Sequence, residues 1–442
     1  MHPPLTVRGV TPSRSVAAAV LASLRGGALL DVAFERDATG LDSRDRRWAQ
    51  ELVYGLLRRR GWIDAALQAR VSGGLARLDP DLLDLLRAGT YQLIAMGSVP
   101  PYAAIAQTVE LVKLRHGMGA SKLANAVLRR VDRERDALVT DVPSDPIDAL
   151  AVAYSHPRWL VSRWVARWGA AAAEALLESN NHEAPLILRP WGMVREQLEA
   201  ALEAAEVQVA DTVLVADSIR INGHPALHDL APFAQGHCFV QDPAATLVTR
   251  YAALPAGARV ADLCAAPGGK SLELARTARF VASADRSSPR LTRLRATLER
   301  LDAPNIAPVV ADALTPPFAA MDAVLVDAPC TGTGTFRRHP DARWRLKISD
   351  LATLAATQRA ILASCASTVR VGGLLIYSTC SLEAEENDVQ VDDFLAARKD
   401  FVLEPPPEGA VPAECLDAGR LRVLPHLHGA DGAFAARFRR IA

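Results

Sequence analysis

The sequence predicts a chain of several domains: an all-α front, a small α+β insert and a C-terminal α/β domain built on a parallel sheet. Three observations predict it. Between residue 13 and about residue 135, apolar positions recur at helical spacing with no period-2 run. From about residue 236, short continuous apolar runs alternate with helical stretches. A glycine turn at Asp262–Ser271 joins one such run to a helix. The expected boundaries are 1–140, 141–235 and 236–442.

The front reads as a helical bundle. Trp48, Leu52, Val53, Leu56 and Leu57 share one helix face. Asp79-Pro80 starts another helix, with a capping carboxylate and proline at the first position. Pro100-Pro101 breaks the chain before Ile105, Val109 and Val112 begin the next. Arg58–Arg60 and Arg129-Arg130 are expected to end helices. There they either complement helix dipoles or contact RNA phosphates. Residues 140–155, with Pro143 and Pro146, read as a linker. The insert is expected to hold a helix over Trp159–Leu177, a strand over Leu186–Arg189, a helix over Arg195–Ala205 and β-runs at Val213–Val215 and Ile219–Ile221.

In the last domain the expected strands are Arg259–Leu263, Phe280–Ala284, Ala307–Val310, Ala323–Val326 and Leu374–Tyr377. Helices over Leu272–Ala278, Arg290–Leu301 and Leu351–Val369 separate most of them, and an edge hairpin closes the chain. In such sheets ligands bind beyond the carboxyl ends of the strands. Asp285, Asp312, Asp327-Ala-Pro-Cys330 and Ser378-Thr-Cys-Ser381 all fall there, beside the glycine turn.

Composition narrows the class. Half of the 442 residues are hydrophobic, enough for real cores, and no apolar run reaches the ~18 residues that span a membrane. Val16–Leu24 mimics the core of a signal peptide, but Arg25 follows at once, and an amphipathic first helix is the better reading. The six cysteines lie far apart without a C-x-x-C pair. They suggest neither a zinc site nor a disulfide frame, and free thiols point to a reducing cytoplasm. Net charge is zero, yet residues 1–140 carry twenty Lys+Arg against fourteen Asp+Glu, a modest electrostatic footprint for RNA.

The turn Asp262-Leu-Cys-Ala-Ala-Pro-Gly-Gly-Lys270 brings backbone amides up to a ligand. A phosphate-cradling loop needs glycine where Cys264 stands, and the dinucleotide Gly-x-Gly-x-x-Gly is absent. A nucleoside-binding turn of another kind remains, with Asp285 placed to suit a ribose diol. Any one of these aspartates could instead cap a helix. Cys238, Cys365 and Cys415 read as small core hydrophobes. Cys330 and Cys380 both follow strands in loops of small polar residues, where a nucleophile is at home. Two thiols beside a nucleoside cofactor suit methylation at carbon 5 of cytosine. A thiolate adds to carbon 6, carbon 5 then takes the methyl group, and a second group assists release. The target base must be unstacked to enter. Spacing alone does not say which thiol attacks. Asp327-Ala-Pro-Cys330 differs from the Asp/Asn-Pro-Pro-aromatic loop of amino-group methyltransferases.

On these residues the chain resembles the Sun/Fmu (RsmB-type) family of bacterial RNA cytosine-5 methyltransferases. The motifs are DLCAAPGGKS (262–271), DAPCTGTGTFRRHPD (327–341) and YSTCSLEAEEN (377–387). Leu86–Leu93 and Asn125–Arg129 resemble the NusB-type RNA-binding domain that this family carries. The resemblance implies a NusB-like front, a Rossmann-like methyltransferase domain and S-adenosylmethionine as cofactor. It also implies 16S ribosomal RNA as partner, with no metal or membrane, and a monomer is expected. It would make Cys380 the nucleophile and Cys330 the group assisting release. Cys264, Ala265, Ala266, Pro267, Gly268, Gly269 and Lys270 would wrap the methionine part of the cofactor. Asp285 would hold the ribose, Asp312 would face the adenine, and Asp327 would bridge cofactor and base. Ala245 stands where the family usually has serine, Ala433 where it has phenylalanine, and Pro190-Trp191 where a Val/Ile-Asn pair is common. The alternatives are the same chemistry on another RNA such as tRNA, a non-catalytic antitermination-type RNA-binding factor, and a small-molecule methyltransferase.

Overall fold

A computed structural model describes residues 9–138, 143–223 and 225–442, and the chain packs as two units. The first takes in Met1–His182 together with His339–Arg345, and the second Glu183–Arg338 and Leu346–Ala442.

The first unit is helical among its described residues: Pro12–Arg25, Leu30–Asp37, Ser43–Gln68, Pro80–Ala95, Pro101–Arg133, Pro146–Ala153, Arg158–Trp168 and Ala170–Asn181, with short turns between. Val16, Val20, Leu52, Leu56, Ile63, Leu86, Val112 and Leu128 are buried in one core. Their helical spacing is the stripe visible in the sequence. Asp79 caps its helix as expected, its Oδ1 accepting from Asp81 N at 2.8 Å and Leu82 N at 3.3 Å. Three expectations change. Arg58–Arg60 lie inside the helix Ser43–Gln68 rather than at its end, so no helix dipole explains them. The helix expected over Trp159–Leu177 is broken at Gly169, whose φ of 82° is left-handed, and both halves pack with the first unit. Of the expected linker, residues 140–142 lie outside the described residues, while Pro146–Ala153 is a helix capped by Asp145.

The second unit holds two sheets. The smaller is antiparallel, with strands β1 (Leu186–Pro190), β2 (Val209–Asp211), β3 (Ile219–Ile221) and β4 (Cys238–Val240) in the order β2-β3-β1-β4. The strand expected at Val213–Val215 is a turn instead. Val215 N donates to Val213 O at 2.8 Å and Thr212 Oγ1 to Val215 O at 2.6 Å, which uses groups a ladder would need.

The larger sheet carries β5 (Arg259–Leu263), β6 (Phe280–Asp285), β7 (Ile306–Val310), β8 (Met321–Asp327), β9 (Val369–Thr379), β10 (Phe401–Leu403), β11 (Leu416–Asp417), β12 (Arg420–Val423) and β13 (Ala433–Arg440). Its order is β11-β12-β13-β9-β8-β5-β6-β7, with β10 pairing to β13. Pairs within β5–β9 are parallel, while β13 runs antiparallel to β9 and β12. Val260 and Ile376 join one core and Ala261, Val324 and Tyr377 another, so apolar side chains cover both faces. That is why these strands read as continuous apolar runs. The chain order reverses at β5, flanked by β6 and β8, and ligands sit at such a switch point.

Candidate active site

The second unit holds all twelve residues expected at the site, at the carboxyl ends of β5, β6, β7, β8 and β9. β5 ends at Leu263, and the turn that follows enters the helix Gly269–Ala275. Gly268 has φ +107°, and a Cβ there would collide with Leu294. A Cβ on Gly269 would lie 2.5 Å from the Gln241 amide. The backbone conformation at 268 therefore requires glycine, and the bare backbone that the pair leaves is a cradle. Ala265 N donates to Ala284 O at 2.9 Å, tying the turn to β6. Cys264 takes φ 74°, a left-handed conformation that costs a non-glycine residue energy and recurs at ligand clamps. Burial, then Asp327, Asp262 and Asp285, push its thiol up to about 12.

Asp285 ends β6, buried. Its Oδ1 accepts from Ser287 N at 2.8 Å, and its Oδ2 from Ala266 N at 3.3 Å and Arg290 Nη1 at 3.2 Å. A carboxylate has about four acceptor sites, so capacity remains for a diol. Asp312 stands apart. It is exposed beyond β7, and its Oδ1 accepts from Leu314 N at 2.9 Å in a local turn; among the described residues no helix begins between β7 and β8 for it to cap.

Asp327 ends β8 beside its register partner Ser378 on β9. Lys270 Nζ donates to Asp327 Oδ2 and Ser378 Oγ to Oδ1, each at 2.8 Å. Burial pulls the Lys270 ammonium down, but Asp327 and then the neighbouring Cys380 raise it further, and the net shift is upward.

Cys330 and Cys380 converge, their Sγ atoms 3.4 Å apart. Two contacts stitch their loops together, Gly334 N to Cys380 O at 3.0 Å and Leu382 N to Thr333 Oγ1 at 2.8 Å, and Gly432 N, just before β13, donates to Gly334 O at 2.7 Å. A Cβ on Gly334 would lie 2.8 Å from Cys380 O and 2.6 Å from Gly432 Cα, so the two cysteine loops and the segment before β13 meet this closely only with glycine at 334. The Cys330 thiol is held well above the usual range. The hydrogen bond with Cys380 is the largest cause, followed by burial, the charge of a Cys380 thiolate and Glu386.

Two groupings were not expected from sequence. Glu386, fully buried, accepts from Thr331 N at 2.9 Å, Thr331 Oγ1 at 2.5 Å and Gln358 Nε2 at 2.9 Å, anchoring the residue after Cys330. Arg338 joins Asp242 at 2.6 Å and Asp431 at 2.5 Å, and Arg337 adds a 3.2 Å contact to Asp431. The DAPC loop is thereby pinned at its far end as well. Beneath the glycine turn, Ser283 Oγ donates to Ser271 Oγ at 2.7 Å, and Ser271 Oγ to Asp262 Oδ2 at 2.5 Å. Asp262 Oδ1 is buried without a hydrogen-bond partner, and burial, opposed by Ser271, lifts its carboxyl to about 7.

Known proteins are similar to this chain in sequence and fold. A family model described as 16S rRNA methyltransferase RsmB/F matches residues 252–439, the NusB family matches 11–133, and an RsmF/B-like ferredoxin-like domain matches 156–228. The probable ribosomal RNA small subunit methyltransferase B of Synechocystis is 33% identical, covering 93% of this chain and 95% of its own. The chain belongs to the RsmB/F methyltransferase family. The ribosomal RNA small subunit methyltransferase B of Xylella fastidiosa is 36% identical over 90% of this chain and 92% of its own. Among solved structures, PH0851 superposes with a TM-score of 0.81 at 25% identity, covering 98% of this chain and 99% of its own. A methyltransferase homolog from Pyrococcus horikoshii gives 0.58 at 24% identity, over 68% of this chain and 100% of its own, and supports the fold alone.

The RsmB/F assignment makes this an S-adenosylmethionine-dependent RNA methyltransferase with a NusB domain, a ferredoxin-like insert and a Rossmann-like catalytic domain. The glycine cradle at 268–269 and the Asp285 carboxylate fit that cofactor. Among the described residues no helix is long and apolar enough to cross a membrane, and no His/Cys/Asp/Glu group could hold a metal ion.

Proposed function

We propose that the chain methylates carbon 5 of a cytosine in 16S ribosomal RNA through a covalent Cys380 adduct, acting as a monomer in the cytoplasm. The observation that carries this reading is the 3.4 Å approach of Cys330 and Cys380 beside the Lys270–Asp327 pair. S-adenosylmethionine supplies an electrophilic methyl group on a sulfonium. Cys264–Lys270 hold its methionine part, Asp285 its ribose and Asp312 the side of its adenine. Asp327 bridges to the flipped base.

Electrostatics favour Cys380 as the attacking thiol. It interacts with the Lys270 ammonium, whereas Cys330 neighbours Glu386. The Cys380 thiolate adds to carbon 6, carbon 5 takes the methyl group, and the carbon-5 proton must then leave. Adduct formation turns Cys380 into a neutral thioether. That removes two of the causes holding Cys330 protonated. Cys330 then ionises more readily and can take the carbon-5 proton as the Cys380–carbon 6 bond breaks. The products are 5-methylcytosine, S-adenosylhomocysteine and a proton.

The test incubates Cys330→Ala, Cys380→Ala and the double variant with cofactor and unmodified 16S RNA, then runs denaturing gels. An RNA-shifted band from Cys330→Ala alone supports the scheme. A band from Cys380→Ala alone reverses the two roles. No band from any variant, with wild type transferring no methyl group to this RNA, sinks the 16S assignment.

A further inference from the structure

Arg58–Arg60 lie mid-helix, so their charge is left without the helix-end explanation. Arg60 lines a cavity of about 480 Å³ in the helical unit, within the ~300–1,000 Å³ range of ligand sites. Leu21, Leu56 and Leu83 are among its apolar lining residues. Its wall is Trp344, from the His339–Arg345 segment that packs with this unit. Trp344 Nε1 donates to Leu57 O at 2.7 Å, which fixes the indole, and the Arg60 guanidinium lies 5.3 Å from its ring centroid.

Charge pairing in the cavity is uneven. Asp84 is engaged by Arg25 and Arg87, and Asp341 by Arg345. Asp64 gives both oxygens to Arg87, at 2.6 and 2.7 Å, and meets Arg60 only at 4.0 Å. Arg60 is therefore the least compensated of the four lining arginines. Burial and then Arg87 push its guanidinium below the usual range, a cost that an incoming anion would relieve. RNA-binding proteins stack unpaired bases on aromatic rings and on arginine planes, with arginine also reaching phosphate.

We propose that this cavity binds one unpaired nucleotide of the RNA substrate. The base would sit over the leucines against the Arg60–Trp344 stack, and the phosphate would meet Arg60 and Arg345. This rests on the reading of the chain as an enzyme of 16S ribosomal RNA and adds a second RNA subsite, built from residues outside the methyl-transfer site.

The test uses the full chain and an unmodified 16S RNA transcript, with Kd measured by filter binding over a series of salt concentrations. Arg60→Ala should bind about tenfold more weakly, and its log–log salt slope should fall by about 1 in magnitude, as for one lost phosphate contact with a stacked base. Arg359→Ala removes the same charge from an exposed position on the helix Ile348–Ala366 of the second unit and should change neither quantity. Trp344→Phe, which keeps an aromatic wall, should lose a fluorescence quench that RNA causes in wild type. Wild-type affinity in Arg60→Ala, or an equal loss in Arg359→Ala, would overturn the subsite and leave the functional reading standing. If wild type binds S-adenosylmethionine but not this RNA, both fall together.

Discussion

Cys330 Sγ lies 3.4 Å from Cys380 Sγ, too close for both thiols to ionise at neutral pH. Cys380 raises the Cys330 thiol through its hydrogen bond and its charge, so deleting Cys380 should lower it. The expected outcome is that iodoacetamide alkylates Cys330 at lower pH in Cys380→Ala than in wild type. Peptide mass spectrometry across a pH series reads the midpoint. A midpoint that stays put or moves upward would show that the two thiols are not coupled.

Glu386 separates packing from charge. In Glu386→Gln the amide oxygen can still accept from Thr331 N and Gln358, and the Thr331 hydroxyl can turn to accept in its place. Glu386→Ala leaves buried donors without an acceptor, at about 1–3 kcal/mol for each group. Urea midpoints should therefore fall in the order wild type, Gln, Ala. The Gln variant should also let Cys330 alkylate at lower pH, since Glu386 helps to raise it. Equal midpoints for Gln and Ala would argue that the hydrogen bonds contribute little.

Much of this architecture is legible in the sequence, for a physical reason. Strands buried on both faces read as continuous apolar runs, so β5 was expected over the residues it occupies, and β6 to within one residue. The rim cysteines are visible because they follow such strands in loops of small residues. Glu386 was not. It sits among Glu383, Glu385 and Asn387 in a stretch that looks solvated, and only the 3-10 turn Ala384–Glu386 turns it inward. Nor was the Asp242–Arg338–Asp431 cluster, whose members meet only through tertiary packing. Arg58–Arg60 misled because a run of charge looks like a helix end, whereas the apolar face continues through Ile63, Ala66 and Leu67.

Gly334 tests how tightly the cysteine loops must close. A Cβ on Gly334 would meet Gly432 Cα at 2.6 Å and Cys380 O at 2.8 Å, all backbone that cannot swing aside. Gly334→Ala should push the two loops apart. Methyl transfer should fall by about 100-fold, the scale of a 1 Å misplacement at a reacting centre, while cofactor affinity, for which the proposed residues lie beyond β5, β6 and β7, stays near wild type. Isothermal titration with S-adenosylmethionine and a single-turnover methylation assay read the two quantities. Loss of cofactor binding in step with activity would mean that the substitution unfolds the domain.

Asp262 gives the clearest pH signature. Its carboxyl rises from an unfolded value of 3.8 to about 7, chiefly by burial. Between those values the folded state holds a proton that the unfolded state has released. The derivative of unfolding free energy with pH is then negative, and stability falls as pH rises through this window. The loss attributable to Asp262 is up to about 1.4 kcal/mol per pH unit and levels off above the folded value. Asp262→Asn cannot ionise, and its amide oxygen can still accept from Ser271 Oγ. The variant should therefore gain on wild type as pH increases from about 4 to 7, and keep that gain above it. Urea unfolding of both proteins at pH 5 and pH 8 gives the difference directly. A stability gap independent of pH would mean that Asp262 stays ionised in the folded protein, and that the Ser283–Ser271 chain compensates its burial far better than the geometry suggests.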